Sequence, residues 1–394
     1  MTVWSPENDC SSHQPVLAVP FHRRPASLNY GFSGETTDLK ACSTAIRRGS
    51  RSFHLAAQLL PSRTRQAAFS LYAFCRHSDD LIDGAGAEKN VLASLRQRLN
   101  LIYQGRPAPL ACDRAFARTV QEYAIPKLVA ETLLDGFEMD TAQRRFQTIA
   151  EVKDYANCVA ATVGIMMALV MKTGEPEALA RAADLGLAMQ LTNIARDVGE
   201  DVRNGRLYLP QDWLRDVGIS PEELMLDPQF SPALGSVVAR LLEEADHHYG
   251  LGLAGISFLP PDCRHAIRTA ALVYQGIGTR IRENGYDSIS QRASTALSTK
   301  LRLALNARRE TESEKSVAPE FAAQPPDAAT AALVMRSAHS YAAARKQSLS
   351  LPVLENATGR LDRFALILMQ LQERAREENR FRRRLVQRKV TGLG

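Results

Sequence analysis

Gln190-Leu-Thr-Asn193-Ile-Ala-Arg196-Asp197-Val-Gly-Glu200-Asp201 is the stretch on which the reading of the fold turns. Its oxygen-bearing side chains Asn193, Asp197 and Asp201 recur at every fourth residue. On an α-helix each step of four drifts only about 40° around the axis, so all three share one face. The stretch closes a helix read from 176 to 203, with Pro176 suited to the first turn and Asn204-Gly205 to the end. The acids therefore crowd a helix C-terminus, where the macrodipole opposes negative charge.

Working upstream, Tyr72-Ala-Phe-Cys-Arg76-His-Ser-Asp79-Asp80-Leu-Ile-Asp83-Gly84 repeats the situation. Asp79 and Asp83 stand four apart on one face and repel by about 0.2–0.5 kcal/mol. Gly84-Ala-Gly again marks a helix end, so positive groups are expected nearby. Taken singly, such a pair is more often a solvated acidic face than a functional site. Two faces, both flanked by arginine and both set in apolar helices, favour a site. Oxygen donors at this density suit magnesium, or manganese in its place, with diphosphate oxygens completing the shell.

The rest of the chain reads as all-α. Helical patterns follow one another at about 39–59, 62–82, 88–104, 111–122, 126–140, 150–172, 176–203, 231–258 and 262–284, with boundaries good to ~2–4 residues. Gly164, inside 150–172, suggests either close helix packing or a ligand passing over it. Residues 1–37 read as a flexible N-terminal extension, 38–302 as the catalytic domain, 303–327 as a Pro/Ala-rich linker, and 328–394 as a C-terminal helical, basic extension. In that extension, helices are expected near 328–347 and 360–389. The second is amphipathic through Leu361, Phe364, Leu368, Leu371 and Ala375, and it ends in RFRRRLVQRK.

Composition excludes several classes. The net charge of +6 comes with only 6% aromatic residues and no nucleic-acid motif, so no nucleic-acid partner is expected. The six cysteines form no C-x-x-C pair and read as free thiols in a reducing compartment. His247 and His248 are adjacent, hence about 100° apart on a helix, and no histidine is assigned a ligand role. MTVWSPENDC carries no basic start and apolar run, so no secretory signal is expected. The longest apolar run, 159–171, is shorter than the ~20 residues a membrane span needs. A cytoplasmic protein is expected, with peripheral contact to the inner membrane through the C-terminal basic helix; an autonomous surface helix is the competing reading.

Gly186-x-x-x-Gln190-x-x-Asn193-Ile194-x-Arg196-Asp197-Val198-x-Glu200-Asp201, followed by Arg206-Leu-Tyr208-Leu-Pro210, resembles the second signature of the squalene and phytoene synthase family. Tyr155-x-x-x-Val159-Ala-Ala-Thr-Val163-Gly164 resembles its first. Ser50-Arg-Ser52-Phe53, the 72–83 block, Leu272-Val-Tyr274 and Asn284-Gly-Tyr286-Asp287 continue the resemblance in order, over about residues 40 to 302. Around Asp135-Gly136-Phe137-Glu138-Met139-Asp140 the chain is more similar to the phytoene-forming branch. Asp135 and Asp140 themselves read as a solvated face or secondary polar contacts.

The resemblance implies a single-domain isoprenoid-synthase-type helix bundle with a central active-site cavity. It implies a prenyltransferase that joins two geranylgeranyl diphosphates head to head, through a cyclopropyl diphosphate, to phytoene. Asp79, Asp83, Asn193, Asp197 and Asp201 would hold magnesium. Arg76, Arg196, Arg292 and Lys300 would meet diphosphate charge, while Ser50, Ser52, Phe53, Tyr72 and Gln190 would contact substrate. Asp80, Tyr274 or departing diphosphate would receive protons. Farnesyl diphosphate as substrate, giving squalene or dehydrosqualene, is the rival, although no G-x-G-x-x-G follows a strand to suggest a nicotinamide site. A terpene cyclase and a non-catalytic relative are weaker rivals: the arginine-to-proline tail speaks against the first and the intact acids against the second.

Overall fold

Pro176–Arg203, read as one helix, is one helix of 28 residues and forms the axis of the molecule. The computed structural model describes residues 32–84, 90–312 and 324–349. Its helices are α1 Phe32–Gly49, α2 Arg51–Ala57, α3 Ser62–Asp83, α4 Val91–Tyr103, α5 Ala111–Glu122, α6 Lys127–Thr141, α7 Ile149–Ala156, α8 Thr162–Val170 and α9 Pro176–Arg203. Next come α10 Gln211–Asp216, α11 Pro221–Leu226, α12 Pro232–Ala254, α13 Pro261–Glu283, α14 Leu297–Glu312 and α15 Ala328–Leu349. No strand occurs among the described residues, in keeping with the all-α reading.

Helix α9 packs along α12 and also against α8, α13 and α15, so its buried residues join two cores. One gathers Leu71, Phe74, Leu99, Phe116, Leu134 and Leu169. The other gathers Leu191, Val198, Trp213, Leu241, Tyr249 and Tyr274. Close helix approach is made possible by glycine. A Cβ at Gly164 would sit 2.1 Å from the Ala182 carbonyl oxygen, and one at Gly186 would sit 2.4 Å from that of Ala160. Of the two readings of Gly164, packing is thus the one realised.

Three expectations need correcting. The 39–59 helix is broken at Ser50, whose side chain caps α2 by accepting from the Phe53 N–H at 3.2 Å. The 150–172 helix contains a π-turn, Asn157–Ala161, between α7 and α8. Residues 303–312, read as the start of a linker, continue α14. Their polar outer face conceals an inner one: Ala307 is fully buried, and Leu303 would lie 3.0 Å from a Cβ on Gly276.

The helix expected at 328–347 is present as α15 and docks on the body. Leu333, Val334, Ala338 and Tyr341 enter the first core. The short helices α10 and α11 escaped periodicity because each is a single turn and a half of six residues. The amphipathic 360–389 segment and most of the 1–37 extension lie outside the described residues. Cys42, Cys75, Cys112, Cys158 and Cys263 are free thiols. Among the described residues, no helix is long and apolar enough to cross a membrane.

Candidate active site

The last three turns of α9 present Asn193, Asp197 and Asp201 as the spacing requires. What the spacing does not show is the chain that folds over them. After α13, the Gly199 N–H donates to the Ser288 carbonyl at 2.9 Å. A Cβ on Gly199 would come within 2.7 Å of the Ile289 carbonyl oxygen, so glycine allows this loop to lie flat on the helix. The loop delivers Arg292, whose Nε donates to Asp197 at 2.7 Å and lies 3.1 Å from Glu200. Arg196 grips the same Asp197 carboxylate from the other side, with Nε donating at 2.8 Å. A recess of about 160 Å³, lined by Arg196, Glu200, Arg203 and residues 288–292, opens here.

These neighbours divide the acids electrostatically. Burial would raise the Asp197 carboxyl, but hydrogen bonds from Arg196 and Arg292 prevail and hold it below the usual range. Burial, then the nearby Asp197, push Asp201 up to about 8. Asn193 donates to Gln190 Oε1 at 3.3 Å, while its own Oδ1 is buried without a hydrogen-bond partner.

At the end of α3, Arg76 lies 3.3 Å from Asp79 and 2.7 Å from Asp80. Burial and Asp83 push the Asp79 carboxyl up to about 6, although 40% of the side chain remains exposed. Asp83 pairs with Arg206 at 2.6 Å. Arg206 follows α9 directly, so this contact ties the two acidic helix ends together. The expected positive compensation is therefore present at both ends.

Between them lies an aromatic floor. Phe53 stacks on Tyr274 with ring centroids 4.7 Å apart and meets Tyr72 edge-on at 6.4 Å. Tyr274 is buried, which raises its phenol, while Arg196 and Ser50 beside it work the other way. Ser50, Phe53, Tyr72, Tyr274 and Arg196 thus converge. Ser52 makes no side-chain hydrogen bond among those resolved. Lys300 lies on α14, its ammonium depressed by burial and by Arg51.

Tyr155, Arg206 and Tyr208, given no role in the sequence reading, belong to the same place, together with Asp140. Asp140 accepts from Tyr208 at 2.7 Å and from Tyr155 at 3.2 Å. Burial outweighs both bonds and raises its carboxyl. Asp140 is thus a secondary polar contact inside the fold, whereas Asp135 lies on the exposed face, 2.9 Å from Arg96. The signal was available: Tyr155 opens the first signature, and Arg206 and Tyr208 sit in the tail of the second. Among the described residues, no three His, Cys, Asp or Glu side chains make a ready-made metal cluster.

Two arginine-braced acidic helix ends above an aromatic floor, in a helix bundle without strands, define an enzyme of the isoprenoid-synthase type. The squalene/phytoene synthase family model matches residues 46–302. A phytoene synthase of Rhodobacter capsulatus is 46% identical over 272 residues, covering 68% of this chain and 80% of that protein. One of Cereibacter sphaeroides is 46% identical over 276 residues, covering 68% and 78%. A crystal structure of a dehydrosqualene synthase with ligand superposes with TM-score 0.66 at 27% identity, covering 72% of this chain and 99% of that one. The chain belongs to the squalene/phytoene synthase family.

Proposed function

We propose that the protein is a phytoene synthase, which condenses two geranylgeranyl diphosphates head to head and releases diphosphate. The observation that carries this reading is the Arg206–Asp83 pair, because it holds the two acidic helix ends where two diphosphates would sit side by side. Identity to phytoene synthases at 46% favours the twenty-carbon substrate over the fifteen-carbon one.

The residues suit magnesium. Asp79 and Asp201 are carboxyls raised by burial and by a neighbouring acid, so each gains from a cation. The unpartnered Asn193 Oδ1 is a neutral donor. Asp79 and Asp83 on one side, and Asn193, Asp197 and Asp201 on the other, would hold the metal. Arg292, with its side chain 58% exposed, is the partner free to leave Asp197. When bound, magnesium would neutralise diphosphate charge and ease its departure.

The chain's own part is positioning. Arg76, Arg196 and Arg292 would meet the charge that develops as the first C–O bond breaks and an allylic cation forms. The second substrate's alkene attacks, a proton leaves, and the cyclopropyl diphosphate results. Its ionisation releases the second diphosphate, and rearrangement with loss of a second proton then gives phytoene. The Phe53, Tyr72 and Tyr274 rings would face the cation and keep water from it. Tyr274, Asp80 or departing diphosphate would take the proton.

The test is product analysis from labelled C20 and C15 diphosphates. A C40 hydrocarbon formed from the C20 substrate without NADPH, abolished by chelation and restored by magnesium, is expected. A C30 product formed preferentially, or one with the carbons of a single substrate, would overturn the reading. The proposal also includes peripheral membrane contact through the basic C-terminal segment. Because α15 packs into the core, the truncation that tests it ends after Leu349; unchanged liposome binding would end that idea.

A further inference from the structure

Helix α15 reaches the segment between α7 and α8 through one buried hydrogen bond. The Thr330 hydroxyl, in a residue with no exposed surface, donates to Asn157 Oδ1 at 2.8 Å; Asn157 is itself only 4% exposed. Thr330 is held from its own side as well. Its N–H donates to Asp327 Oδ1 at 2.8 Å at the start of α15. Just upstream, buried Arg181 of α9 donates to the Gln324 carbonyl at 2.6 Å. This end of α15 is therefore clamped to the bundle twice.

Asn157 opens the π-turn Asn157–Ala161. A π-turn carries one residue more than an α-turn, is rare, and occurs mostly as a single turn inside an α-helix, frequently at a functional site. Here three elements pack against it. A Cβ on Gly136 of α6 would sit 2.5 Å from Val159 Cγ1, and one on Gly186 of α9 would sit 2.4 Å from the Ala160 carbonyl oxygen. Both sides are thus flush, and α15 closes the third through Thr330. Asn157 Nδ2 has no partner, so the Thr330 hydroxyl is the side-chain bond that fixes this amide.

Tyr155, ahead of the π-turn, holds Asp140 at the diphosphate end. Val159 and Val163 follow at steps of four and are only partly buried, although helices surround them. The extra residue sets their rotation relative to Tyr155.

We propose that Thr330 is a positioning residue: by holding Asn157 it fixes the π-turn of the cavity wall, and so the depth at which Val159 and Val163 meet the prenyl tail. The last part rests on the head-to-head prenyl synthase reading. Residues beyond the family-matched segment then take part in choosing the substrate's length.

The test uses the full chain with Thr330→Val, which keeps the shape and loses the hydroxyl, and Thr330→Ser, which keeps the hydroxyl. Amide exchange over 157–163 reads the wall without any substrate, and the ratio of kcat/KM for C20 over C15 diphosphate reads its effect. In Thr330→Val, exchange of these amides is expected to rise about tenfold. The C20 preference is expected to fall about tenfold, with Thr330→Ser near wild type. Unchanged exchange and an unchanged ratio in Thr330→Val overturn the proposal, even where its melting temperature falls. Should Thr330→Val not fold, Thr330→Ala supplies the same two readouts. A wild type that turns over neither diphosphate overturns the functional reading instead, while the exchange arm still decides whether Thr330 holds the wall.

Discussion

Asp197 and Asp201 lie one helical turn apart and are driven in opposite directions, one held low by two arginines and the other raised to about 8 by burial and by its neighbour. Arg196 beside Asp197 on the helix, joined by Arg292 from the loop after α13, makes the difference, since both acids lie at the same C-terminal end. If both acidic faces hold the reacting diphosphates, Asp79→Ala or Asp197→Ala will lower kcat by about a thousandfold while leaving the circular dichroism unchanged. Near-normal turnover in either variant would remove the basis of the mechanism. Tyr208→Phe tests the support beneath the site. It removes the 2.7 Å bond to Asp140, and thermal unfolding should register a loss of about 1–2 kcal/mol. An unchanged melting temperature would mean that water or Tyr155 replaces the bond.

At the scale of the element, the long helices were readable from their apolar period and their punctuation, and 111–122 and 176–203 coincide with α5 and α9. The interruptions were not. Ser50 breaks a continuous helical pattern because its side chain satisfies the Phe53 N–H, a local bond that competes with a pattern both halves share. The π-turn at 157–161 leaves no compositional mark, because the packing of α6, α9 and α15 supports it. The glycines that allow that packing were readable only as irregularities. Gly164→Ala and Gly186→Ala should each destabilise the protein by about 2–3 kcal/mol in denaturant titration, because backbone oxygens stand where the methyl must go. A loss below half that size would show that the helices can separate at little cost.

Across the whole molecule, charge ties the N-terminal end of the described chain to the bundle. Asp38 of α1, 1% exposed, pairs with Arg114 at 2.5 Å and Arg118 at 2.9 Å on α5. Burial works against its charged form, yet the two arginines prevail and the folded carboxyl lies below the ordinary 3.8. Its stabilisation is therefore complete above 3.8 and is lost as pH falls through the lower folded value. Asp38→Asn should cost about 3 kcal/mol at pH 7, by leaving arginines opposite a neutral buried group. Urea titrations should show that cost shrinking as pH drops below 3.8, and a cost independent of pH would mean that the charge is not what holds α1.

The all-α class, the two acidic faces and the family were determined by the sequence alone, because helical period and four-residue spacing are local properties and the signatures lie in continuous blocks. Arg76 and Arg196 meet acids on their own helices, but which distant arginine meets which acid was decided only by tertiary structure. Arg292 is 95 residues from Asp197, and Arg206 is 123 from Asp83. The same holds for Asp140, which spacing left between a solvated face and a polar contact and which folding placed under two tyrosines. It holds again for α15, whose alanine-rich pattern did not show that Thr330 would meet Asn157 across 173 residues. Contacts at such separations depend on how whole helices pack, and the period of any one helix carries no record of its neighbour.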